Sequence, residues 1–163
     1  MTKQEIYNGL LAITRARQEA CKTEAASVGK DHPTERGVLQ LKVGIYNVAI
    51  AAGFISGIEQ ATDLMSKRFR TLIKHFPDLA AYYNDLPENE KGIMEVSLYP
   101  ELFMRVNFYN TYKNDLAEAE TAGEPQMIFK ARIKKEVLGE VLEMWRTFRV
   151  ENDLFPYAFE KEV

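Results

Sequence analysis

A single cysteine, Cys21, among 163 residues excludes an intramolecular disulfide and with it the disulfide-stapled class of small secreted scaffolds. Two histidines, His32 and His75, stand in different segments, so no His-Glu-x-x-His and no Glu-x-x-His can be read. The nine glycines form neither Gly-x-Gly-x-x-Gly nor a phosphate-cradling Gly-x-x-x-x-Gly-Lys-Ser/Thr, and there is no Gly-x-Ser-x-Gly elbow. The longest uncharged run, Val43 to Ile58, would span about 24 Å as a helix, short of the roughly 30 Å hydrocarbon layer. The start, Met-Thr-Lys-Gln-Glu, lacks the basic and apolar regions of a signal peptide, and the expected location is cytoplasmic. No metal, cofactor or catalytic constellation is expected, and the chain reads as a non-enzyme.

What is present suits a globular chain. Apolar residues make up 46% and charged residues 28%, enough to bury about 70% of the unfolded surface without a structural metal. The formal charge of −3 is a sum over unequal regions. Residues 67–75 and 130–135 are basic, while 115–124 and 136–143 are acidic.

Periodicity predicts an all-α fold, a single domain over residues 1–163 with about five main helices. Thr2 and Glu5 match a capping box ahead of a stripe through Ile6, Leu10 and Ile13, and Gly29 is a stop. Pro33 then starts a second helix from about Thr34 to Thr62. Its stretch 38–61 is apolar on every side from Val43 onward, which predicts a central position in a bundle or irregular array. Asp63 to His75 reads as a third helix, ended by Pro77. Residues 84–92 read as a loop, Pro100 as the opener of a fourth helix, and Pro125 as the opener of a fifth. Met127, Leu138, Val141, Leu142, Trp145 and Phe148 mark the buried side of the fifth. Residues 153–163 form a short aromatic C-terminal tail.

Three surfaces offer chemistry. Ala49, Gly53, Gly57 and Ala61 recur every four residues, and interior glycines costing about 1 kcal/mol each imply close backbone approach. That contact is either a tight crossing within the chain, a helix-mediated homodimer, or the wall of a ligand groove. The second surface is basic. Lys67, Arg68, Arg70 and Lys74 follow one another with no acidic residue between Ser66 and Phe76, and Lys130 and Lys134 sit where a helix dipole disfavours cations. These are candidate anion contacts, and a nucleic-acid-associated subunit is one reading of them. A solvated face is the other. The Glu136, Glu140, Glu143 face reads as solvated, paired in part with Arg132 and Arg146.

The third surface is aromatic. Of 18 aromatic residues, 11 lie at or after Tyr99. Phe108 and Tyr109 point about 100° apart on a helix, so one of them faces outward. Phe108, Tyr112, Phe155 and Tyr157 are therefore candidate contacts for a partner protein. The leading expectation is a non-enzymatic helical interaction or regulatory protein that binds another macromolecule, most readily a protein. The alternatives are the nucleic-acid subunit and a small-molecule-binding protein or enzyme with a pocket between the glycine-bearing and aromatic helices, near Asn47, Asn107 or Asn110.

Overall fold

A computed structural model describes residues 1–54 and 58–155, leaving aside the side chains of residues 58–62. In chain order come α1 (Lys3–Ser27), α2 (Pro33–Gly53), α3 (Ile58–Leu72) with a 3-10 turn (Ile73–His75), and α4 (Pro77–Asn84). Then follow α5 (Glu88–Met104), a π-helical segment (Arg105–Tyr109), α6 (Asn110–Ala122) and α7 (Pro125–Glu151). There is no strand among the described residues, and the fold is all-α.

Helix boundaries follow local chemistry. The Thr2 hydroxyl accepts from the Glu5 N–H at 3.1 Å, and the Glu5 carboxylate accepts from the Thr2 N–H at 3.3 Å, which completes the expected capping box. Pro33, Pro77 and Pro125 each occupy a first turn, where a missing N–H costs nothing. Gly123 ends α6 at φ 72°, a left-handed conformation in which a Cβ would be strained.

Three expectations are corrected. Pro100 does not open a helix; it lies inside α5, buried. An interior proline removes one helical hydrogen bond and crowds the preceding turn, and here its ring packs where Gly53 has no side chain. The loop expected over 84–92 shrinks to residues 85–87, because Glu88 already begins α5. Glu88 and Glu90 fall in that first turn, where the dipole favours carboxylates.

The largest correction concerns the centre of the fold. The helix expected to run to Thr62 ends at Gly53, and Phe54 is extended. Its ring sits edge-on to Tyr7 at 5.6 Å and to Trp145 at 5.9 Å, and the side chain is buried. Nor is α2 enclosed: Gly44, Asn47 and Ala51 form an exposed stripe. The enclosed helix is α5, buried without a break from Met94 to Leu102. Its polar residues disguised it, since Glu95, Ser97 and Glu101 are buried only because each is hydrogen-bonded.

Buried apolar side chains of α1, α2, α3, α4, α5 and α7 join in one connected cluster around α5. In contrast, α6 buries Ala119 among its described residues, against an α7 whose first buried residue is Ala131 and which enters the core from Ile133 onward. Thus α6 and the start of α7 form a hairpin arm beside the core. No helix among the described residues is long and apolar enough to cross a membrane.

Candidate functional site

Buried polar groups come first, because unpaired ones would mark chemistry. Arg149 donates to Glu101 at 2.7 Å, with 0% and 1% of their side chains exposed. Arg105 approaches the second oxygen of Glu101 at 3.0 Å, and the Arg149 Nε donates to the Phe155 carbonyl. Glu95 accepts from the Tyr83 hydroxyl at 2.9 Å and the Ser66 hydroxyl at 2.7 Å. Burial and the Glu95 carboxylate together push the Tyr83 phenol up to about 12. The Trp145 indole N–H donates to the Thr14 hydroxyl at 2.9 Å, and Gln18 donates to Asn47. Each network ties helices together, whereas the buried Tyr99 hydroxyl of α5 and the Nε atoms of Arg36 and Arg146 have no hydrogen-bond partner among the described residues. Sequence reasoning missed Glu101 and Arg149, although Arg149 stands four residues beyond Trp145 on the buried stripe of α7.

The aromatic residues form a ladder. Ring centroids of Tyr99, Phe103, Phe108 and Tyr112 follow at 6.0, 6.3 and 6.2 Å. The separations in sequence are four, five and four. Five residues would turn an α-helix well past a neighbour, but the wider π-turn between Phe103 and Phe108 absorbs the extra residue and keeps the rings in line. Tyr109 falls off this line and lies under the Arg105 guanidinium at 5.7 Å. The candidate contacts Phe108 and Tyr112 are half-buried, and burial raises the Tyr112 phenol. Phe155 is half-buried against Tyr82 of α4 at 6.2 Å. Tyr157 lies outside the described residues.

Of the small-residue series, Ala49 and Gly53 face inward. A Cβ on Gly53 would stand 3.2 Å from the Pro100 Cβ and 3.5 Å from the Trp145 ring, so its missing side chain admits α5 and α7 of the same chain. Gly57 and the side chain of Ala61 lie outside the described residues. Cys21 is partly buried, and that burial pushes its thiol up, against the thiolate a nucleophile needs.

Lys67, Arg68, Arg70 and Lys74 are exposed along α3 and its 3-10 turn. Lys67 and Arg68 flank a groove of about 410 Å³ floored by Leu64, Leu72 and Phe103, with Asn107 at its rim. Arg70 is drawn to the Tyr83 hydroxyl. Lys130 lines a different groove, so the two basic groups do not share a surface concavity. On α7, Glu143 pairs with Arg146 at 3.5 Å, while Arg132 reaches Glu120 of α6 at 3.8 Å rather than a carboxylate of its own helix.

The groove that Lys130 lines is the larger one, about 770 Å³, between the first halves of α2 and α7. Val38, Leu41, Phe129 and Ile133 supply its apolar wall, and Pro33 and Pro125 close one end. Two large apolar residues of the arm are exposed: Phe129 by 48% and Met127 by 56%. Met127 therefore departs from the buried side on which its spacing placed it. The start of α7 packs on α6 and borders α2 only across this groove, whereas the second half of α7 is set into the core, and periodicity alone carries no such distinction. Comparison of the chain with protein-family models, curated proteins and solved structures finds no match.

Proposed function

We propose that this is a non-enzymatic helical interaction protein, located in the cytoplasm, whose docking surface is the groove between α2 and α7. The observation that carries the reading is the coincidence of an apolar groove with an exposed Phe129 on its wall. Grooves of this kind accept the apolar face of a helix through anchors spaced along it, and exposed large rings supply much of the binding energy at protein interfaces. The aromatic ladder fits a supporting role: Phe108 and Tyr112 stiffen the junction from which the arm extends.

A display selection of helical peptides on the folded chain tests this. Selected peptides should lose at least tenfold in affinity for Phe129→Asp and keep their affinity for Lys67→Glu on α3. Peptides that bind both variants equally well would remove the groove from the account.

A nucleic-acid role through Lys67, Arg68, Lys74 and the α7 lysines is the second reading, favoured by the exposure of the α3 cations. It requires affinity that falls steeply with salt. A flat salt response would end it.

A further inference from the structure

We infer that the crevice between the end of α1 and the first half of α2 binds a phosphate group, free or esterified, through Arg36, Lys22 and Gln40. The ground is an unpaired guanidinium. The Arg36 Nε is buried without a hydrogen-bond partner, and Arg36 forms no ion pair among the described residues. A buried charged donor without an acceptor destabilises a fold. Arg36 therefore needs an acceptor that the chain around it does not supply.

The surroundings of Arg36 define that acceptor. The crevice has a volume of about 290 Å³ and is lined by Lys22, Ala25 and Ala26 of α1 and by Arg36, Gln40 and Val43 of α2. Separations of three, four and seven residues place each trio on one side of its helix, so the two sides meet across the crevice. Two of these residues are cations and none is a carboxylate. Two cations favour a dianion, and a phosphate ester carries about −1.5 to −2 charges at neutral pH. Its oxygens can take two parallel hydrogen bonds from the Arg36 fork, the geometry by which arginine recognises phosphate. Lys22 adds a point charge from the facing helix, and the Gln40 amide adds a neutral donor. Lys22 also meets Glu19 at 3.3 Å, but both side chains are about half exposed or more, and such pairs contribute little. That lysine is free to turn to a ligand. Ala25, Ala26 and Val43 wall the crevice with methyl groups, and charge-assisted hydrogen bonds strengthen where water is displaced.

Calorimetric titration and thermal unfolding of the intact chain test this with O-phosphoserine, serine and inorganic phosphate. Ligands are kept to about 5 mM, because concentrated phosphate stabilises folded chains generally. O-Phosphoserine should bind and raise the melting temperature of wild type, and serine should do neither. Arg36→Met should weaken binding about tenfold or more and lose most of that rise. Without ligand it should melt no lower than wild type, since no contact of the guanidinium within the chain is removed. Arg36→Lys should restore only part of the affinity, because lysine lacks the fork. Lys67→Gln on α3 should behave as wild type. Equal affinity for both phosphate ligands supports free phosphate, and tighter binding of O-phosphoserine supports an ester. Absence of binding by either overturns the inference, as does Arg36→Met that binds like wild type or melts lower without ligand. Acetate that binds as tightly as phosphate makes the crevice a carboxylate seat. Single-stranded DNA that binds when neither phosphate ligand does gives the cations to a polyanion. Either result overturns the inference too.

Discussion

Arg149 of α7 and Glu101 of α5 meet at 2.7 Å with essentially no solvent access to either side chain. The pair fixes the register of α7 on the enclosed helix. Through the Phe155 carbonyl, the same guanidinium holds the chain just past α7, where Asp153 and Phe155 adopt positive φ. Removing one partner leaves a buried charge uncompensated. Arg149→Met and Glu101→Gln should each cost about 3–5 kcal/mol in urea unfolding. Arg149→Met with Glu101→Gln should cost less than the two single losses together. Additive losses would show that the pair is uncoupled.

Trp145 depends on Thr14 for its indole hydrogen bond. Thr14→Val keeps the shape and orphans a buried N–H, at a cost of about 1–3 kcal/mol. Unfolding followed by tryptophan fluorescence measures the loss directly, since Trp145 is the single tryptophan. An unchanged midpoint would contradict the contact.

Glycines in one helix should respond with opposite signs. Gly44 has nothing within 4 Å of an added Cβ, so Gly44→Ala should stabilise by about 0.5–1 kcal/mol. At Gly53 the added Cβ meets the Pro100 ring, and Gly53→Ala should destabilise by about 1–3 kcal/mol. Thermal unfolding of the two variants separates them.

The Tyr83 phenol, pushed up to about 12, keeps its proton in the folded chain after an ordinary tyrosine near 10 has lost it. Its contribution is complete below about pH 10 and is lost as pH climbs towards 12, because the unfolded chain then releases the proton first. Tyr83→Phe should flatten the fall in stability across that window. An identical fall in both proteins would contradict the Tyr83–Glu95 contact.

Much of the architecture is legible in residue order. Thr2 with Glu5, and Pro33, Pro77 and Pro125, mark helix starts through backbone chemistry that acts within one turn. Pro100 misleads because its place in α5 depends on Gly53, far away in sequence. Glu95, Glu101 and Arg149 mislead because a charged residue reads as exposed until its partner on another helix is known. The groove is less legible still. Val38, Leu41, Phe129 and Ile133 each follow an ordinary apolar period, and nothing local says that Phe129 is left half uncovered. The polarity of charge between α6 and the start of α7, however, stands in the sequence itself.

The docking groove is the centre of this account, and photo-crosslinking from Gln126 on its wall tests it most directly. A benzophenone side chain at Gln126 should give a discrete protein adduct inside the host cell. The adduct should vanish when Phe129→Asp is added, and the same probe at exposed Ala51 should give none. Equal adducts from Gln126 and Ala51, or an adduct indifferent to Phe129→Asp, would contradict the account.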